Sequence, residues 1–185
     1  MNARLSLPEG RGLRILIYWI IVILAVTVDQ ATKAAAIQVL ENGPLTLVPG
    51  LINLVHVENT GAAFSIGEGS NLLFIIVAIV FIAVASFFVW NEDGLPLPIT
   101  CTVGFVAGGG LGNLIDRIMN GSVTDFISLA FIDFPVFNVA DMFVTCGIVL
   151  TVVMYWRWES RQEREREQGQ KEGLFPSARD GERNA

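Results

Sequence analysis

Residues 97–118 read LPITCTVGFVAGGGLGNLIDRI, with no charge before Asp116. A helix needs about 20 mostly apolar residues to cross the hydrocarbon of a bilayer, and this stretch is long enough. Three further runs have the same character, roughly Ile15–Ile37, Leu72–Trp90 and Asp141–Trp158. The whole chain agrees: of 185 residues, 52% are hydrophobic and 16% charged, against about 25% charged in soluble proteins. The expectation is a polytopic membrane protein of four transmembrane helices. Arg4, Arg11 and Arg14 precede the first run and Ala34-Ala35-Ala36 ends it, as in a cleavable signal peptide. Its length and the three later spans argue instead for a retained helix.

Basic residues set the orientation. No Lys or Arg lies between Lys33 and Arg117, or between Arg117 and Arg157. The positive-inside rule then places both termini in the cytoplasm. Residues 1–14 form a cytoplasmic N-terminus, 15–158 the membrane domain, and 159–185 a charged cytoplasmic tail, expected to be a frayed helix running into disorder. Two loops, 38–71 and 119–140, face outward, and residues 91–96 make a short inner turn. Within the first loop, Leu45–Val57 is apolar and β-branched around Pro49-Gly50, which predicts a small hairpin or curved sheet at the membrane surface. A re-entrant apolar loop is the alternative.

Several chemistries are excluded early. With 12 basic and 18 acidic residues the net charge is −6, so no basic surface is offered to nucleic acid. Cys101 and Cys146 sit inside apolar runs and His56 is the only histidine. That removes disulfide scaffolds, zinc sites and Ser-His-Asp triads. The two cysteines, near opposite ends of their helices, are expected to be free thiols.

A charge in mid-membrane costs about 2.5–3.5 kcal/mol on insertion scales, which makes intramembrane polar residues functional candidates. The orientation collects Asp29, Lys33, Asn113, Asp116, Arg117, Asp125, Asn138 and Asp141 at the outer interface. Asp29 and Lys33, at i and i+4, make an internal ion pair on spacing alone. Gly104, Gly108 and Gly112 have the four-residue spacing of closely packed membrane helices, with no phosphate-loop Lys-Ser or Lys-Thr following. Asn138 and Asp141 have the spacing of a capping box, which requires only a helix start. Two carboxylates can also hydrolyse an amide, one taking a proton from water while the other, protonated, polarises the carbonyl. They serve equally well in a proton or cation relay.

Five blocks, in order, resemble the lipoprotein signal peptidases, the signal peptidase II family of membrane aspartyl proteases. They are Asp29-Gln30-Ala31-Thr32-Lys33, Asn59-Thr60-Gly61-Ala62-Ala63-Phe64, Gly109 through Arg117, Val123-Thr124-Asp125-Phe126, and Phe137-Asn138-Val139-Ala140-Asp141. The resemblance spans about Ile15 to Trp158. It implies a membrane all-α fold with a small β element: four transmembrane helices, an outer-face β-cradle and a short helical loop. It implies an aspartic endopeptidase that removes signal peptides from diacylglyceryl-modified prolipoproteins, cutting before the lipidated cysteine, in the bacterial inner membrane and without metal or organic cofactor.

By the same resemblance, Asp125 and Asp141 are the catalytic pair. Asn59, Gly61, Asn113, Arg117, Asn138 and Ala140 line the site or hold substrate, and Asp29, Lys33 and Asp116 are supporting polar residues. Leu111, Thr124, Phe134 and Met142 depart from the commoner family residues without touching the pair. Two rival readings use the same polar residues: a small proton-coupled transporter or channel subunit, made less favourable by the lack of an internal repeat, and an assembly factor whose polar groups only knit helices together.

Overall fold

In the computed structural model, residues 10–61 and 71–174 are described. Four helices long and apolar enough to cross a membrane form there: α1 (Arg11–Val39), α2 (Asn71–Asn91), α3 (Leu97–Met119) and α4 (Val139–Leu174). Three strands accompany them, β1 (Leu45–Val48), β2 (Ile52–Asn59) and β3 (Val123–Leu129). The chain is therefore the multi-pass membrane protein with a small β element that the sequence predicts.

The glycine-rich helix α3 is the axis, packing against α1, α2 and α4. Its small residues allow the close approach. A Cβ on Gly108 would lie 2.6 Å from Ala25 Cβ of α1, and one on Gly109 only 2.5 Å from the Ala140 carbonyl oxygen of α4. Helix α2 is the opposite case, apolar all round and buried only at Val89, as befits a helix facing lipid. Toward the end where α1 begins and α2 turns into α3, Tyr18, Val22, Val89, Leu95, Ile99, Val103 and Ala107 form a buried core cluster. Hydroxyl pairs tie the helices together: Tyr18 to Ser86 at 2.7 Å, and Thr102 to Thr151 at 2.7 Å. An ion pair of 2.9 Å joins Arg11 to Asp93, so the start of α1 and the α2–α3 turn share one end of the bundle.

The hairpin expected around Pro49-Gly50 is present, with Gly50 at φ +74°, a conformation open to glycine without a Cβ penalty. Sequence reading treats 119–140 as loop, whereas residues 123–129 form β3 and complete an antiparallel sheet in the order β1-β2-β3. Ala36 of α1 and Leu40 just beyond it pack on Phe126, with Leu54, Ile127 and Val139 around them, which seats the sheet on the end of the bundle where α1 finishes. No short helix occurs among the described residues of the segments 38–71 and 119–140; residues 62–70, with Ala62, Ala63 and Phe64, lie outside the described part.

Helix boundaries shift outward from the sequence reading. Helix α1 begins at Arg11, and α4 begins at Val139 and runs to Leu174. Its extension is rich in Glu, Arg and Gln, all strong helix formers. Residues 175–185 of the anticipated tail lie outside the described part. Cys101 and Cys146 are free thiols.

Candidate active site

Asp125 is carried by β3, where its backbone pairs with Val57 of β2. Two strand positions further along β2, Asn59 sends its Nδ2 to Asp125 Oδ2 at 2.9 Å. Beyond β3 the chain folds back on itself. Phe126 and Ile127 both donate their N–H to the Phe137 carbonyl (3.1 and 2.8 Å), and Phe137 N–H returns a bond to Ile127 (3.0 Å). This local pairing delivers the next residue, the fully buried Asn138, against Asp125, with Nδ2 donating to Oδ1 at 2.7 Å.

Asn138 also opens α4. Its Oδ1 accepts the Asp141 N–H at 3.0 Å while Asp141 Oδ2 accepts the Asn138 N–H at 3.1 Å. The capping box suggested by spacing is therefore real, and it occupies only one oxygen of Asp141. The other, Oδ1, accepts from Asn113 Nδ2 of α3 at 2.8 Å. Asn138 thus bridges the two aspartates, side chain to one and backbone to the other. Every carboxylate oxygen of the pair carries an N–H donor.

A second layer lies behind. Lys33 Nζ meets Asp29 Oδ2 (2.8 Å), Asp116 Oδ2 (2.9 Å) and Asn113 Oδ1 (2.8 Å), so all three of its protons are used. Asp29 Oδ1 accepts the Ala140 N–H at 3.0 Å, and Asp116 Oδ2 the Thr124 N–H at 3.2 Å. Gln30 donates to Asp29, Asp116 and the Gly112 carbonyl. Gly112 has to lack a side chain, because a Cβ there would run into the Asp29 carboxylate. These buried charges are tolerable because each is paired and hydrogen-bonded.

Arg117 turns the other way. Its Nη2 donates to the Gly61 carbonyl at 2.7 Å and its guanidinium lies 4.6 Å from the Phe74 ring centre, a cation–π contact. Asn71 caps the arrangement by donating to the Arg117 carbonyl at 3.0 Å.

The residues singled out from sequence fall into two groups. Asn59, Gly61, Asn113, Arg117, Asp125 and Asp141 line a cavity of about 540 Å³. Asp29, Lys33, Asp116, Asn138 and Ala140 stand behind it and hold its wall. Asp133, the other acid between α3 and α4, is exposed and not part of the lining. Sequence reasoning gave no site role to Gln30 or Asn71, nor to the wall of Val123, Pro135–Phe137, Thr145 and Cys146, and it marked Thr124, Phe134 and Met142 only as departures from the commoner family residues. Gln30 had a signal, its place beside Asp29; the apolar wall had none, since its members look like ordinary interfacial or helix residues.

Asp125 is 2% exposed. Burial pushes its carboxyl up to about 6; the Asn59 hydrogen bond works against this, the neighbouring Asp141 charge adds to it, and the Asn138 hydrogen bond and the Lys33 charge oppose it. One carboxylate is thus poised to hold a proton beside another that faces the same cavity.

The family model for signal peptidase (SPase) II matches residues 21–157. The chain belongs to the signal peptidase II family. It is accordingly a protease of the aspartic type. The lipoprotein signal peptidase of Caldicellulosiruptor bescii is 39% identical over 135 residues, covering 73% of this chain and 87% of that protein. That of Streptococcus pyogenes serotype M5 is 33% identical over 138 residues, covering 74% and 91%. Two solved structures, both described as bacterial membrane enzymes, share 30% identity. One has a TM-score of 0.68 over 81% of this chain and 91% of its own; the other has 0.63 over 78% and 92%. This member of the signal peptidase II family thus shares its fold with those two membrane enzymes over most of both chains.

Proposed function

We propose that the chain is an intramembrane endopeptidase that removes signal peptides from diacylglyceryl-modified prolipoproteins, cutting on the N-terminal side of the lipidated cysteine, with Asp125 and Asp141 as its catalytic pair. The observation that carries this is the bridging of two aspartates by Asn138 at the wall of one cavity, polar on one side and apolar over most of the rest. The polar side suits a peptide bond and a water molecule. The apolar part, Phe134 to Phe137 with Met142, suits a substrate that arrives with acyl chains. Phe134 and Met142 are about half exposed, so that wall is open toward lipid.

In this reading Asp125, the more deeply buried acid, keeps the proton and donates a hydrogen bond to the scissile carbonyl. Asp141 takes a proton from water, whose oxygen adds to the carbonyl carbon. The tetrahedral species then breaks its C–N bond as the departing nitrogen receives a proton, leaving a free carboxyl and a free amine. The site sits at the outer interface of the bacterial cytoplasmic membrane with both termini in the cytoplasm, where water reaches a bond that hydrocarbon would leave without partners.

Purified protein in detergent should shorten a diacylglyceryl-modified prolipoprotein to the mature form beginning at the lipidated cysteine. The same precursor without the diacylglyceryl group should stay intact. Equal cleavage of both precursors, or of neither, contradicts the proposal; a proton-coupled transporter would cleave neither.

A further inference from the structure

Three asparagine amides touch the aspartate pair, and an amide can present either its oxygen or its NH2. In each case a partner other than the two carboxylates decides. Asn59 Oδ1 accepts the Gly61 N–H at 3.0 Å, which turns its NH2 to Asp125. Asn138 Oδ1 accepts the Asp141 N–H, which turns its NH2 to Asp125 as well. Both anchors are backbone donors from within three residues, local and hard to remove. Asn113 is different. Its oxygen is held by the Lys33 ammonium at 2.8 Å, with a longer contact of 3.1 Å from an Asn138 NH2 that also serves Asp125 and the Thr124 carbonyl.

We propose that Lys33 is a positioning residue for the reaction: it fixes the Asn113 amide so that Asn113 can only donate to Asp141. Lys33 forms no hydrogen bond with either aspartate of the pair. A flipped Asn113 would face its NH2 to an ammonium and its oxygen to the Asp141 carboxylate, two repulsions in place of two charge-assisted bonds. The flip is therefore closed while Lys33 is present. Asp141 Oδ1 is thereby held at a set place, and the water it activates approaches along a set direction. Asp29 and Asp116 act one step further out, locating the ammonium at 2.8 and 2.9 Å. The inference rests on Asp141 being half of the catalytic pair.

The test is a double-mutant cycle on kcat and KM with the diacylglyceryl prolipoprotein. Lys33→Met alone strips Asp29 and Asp116 of their cation. The cycle is therefore run in an Asp116→Asn background, where removing Lys33 leaves one carboxylate, Asp29, still bonded by Ala140 and Gln30. Thermal midpoints in detergent confirm folding of each variant. In that background Lys33→Met should lower kcat about tenfold or more, with KM within about twofold. With Asn113→Ala already present, Lys33→Met should lower it by less than about twofold, because a residue that acts only through Asn113 has nothing left to act on.

Losses that multiply overturn the proposal, since they mean that Lys33 acts by its charge on the pair or by holding the helices together. A change confined to KM overturns it too. Asp141→Asn, measured alongside, separates the two levels. Full activity there overturns the pair and this inference with it, whereas an inactive Asp141→Asn with multiplicative losses overturns the role of Lys33 alone.

Discussion

Asp125 is held by two amide donors yet buried to 2% exposure, and burial prevails: its carboxyl is pushed up to about 6. The folded protein therefore binds this proton more tightly than the unfolded chain, whose aspartates titrate near about 4. The sign follows from linkage. The stabilisation is fully present below about 4 and lost as the pH rises through about 6, amounting to about 3 kcal/mol by neutral pH. Denaturation of the parent and of Asp125→Asn in detergent, compared from about pH 4 to about pH 8, should show this loss in the parent only; identical pH dependence would show that Asp125 is not raised. Activity should follow the same proton. The quantity kcat/KM, which reports the free enzyme, should fall as the pH rises through about 6, while kcat holds to higher pH once substrate has expelled water from the cavity.

At the level of elements, the spans were legible because length and apolarity suffice to identify them, and the β1–β2 hairpin because Pro49-Gly50 marks its turn. Strand β3 was not. Val123–Leu129 is short and carries Asp125 in its middle, and it becomes a strand only by pairing with β2, more than 60 residues earlier. The capping box was legible as spacing, whereas the sharing of Asp141 between a helix cap and Asn113 depends on α3 packing beside the start of α4. The glycines tell the same story. Their four-residue repeat signals close packing, but Gly109, which is off that repeat, makes the tightest approach to α4. Gly109→Ala should cost about 2 kcal/mol or more, since its Cβ would meet backbone that cannot yield cheaply, and should cut activity by displacing Ala140. Gly110→Ala, whose Cβ would stand 3.5 Å from Ile82, should keep activity and match or exceed the parent's thermal midpoint, because alanine suits a helix better by up to about 1 kcal/mol. Equal damage from both would mean that α3 tolerates no alanine for reasons other than this contact.

For the whole molecule, the account requires the sheet and the aspartate pair to lie on the outer side, with the long extension of α4 inside. Exposed Glu41 and Glu163 mark the two sides. In a Cys101→Ser, Cys146→Ser background, a membrane-impermeant maleimide applied to intact cells should label Glu41→Cys and spare Glu163→Cys; the reverse pattern would invert the topology. The central claim is that two aspartates from different elements, joined through Asn138, perform the hydrolysis. Cleavage of a diacylglyceryl-modified prolipoprotein by Asp125→Asn, Asp141→Asn and Asp133→Asn, with thermal midpoints taken in parallel, tests it most directly. Asp125→Asn and Asp141→Asn should each lose at least about a thousandfold in kcat while remaining folded, and the exposed Asp133→Asn should cleave at close to the parent rate. If Asp141→Asn keeps most of its activity, that residue only caps a helix, and if Asp133→Asn loses as much as Asp125→Asn, the pair is wrongly drawn.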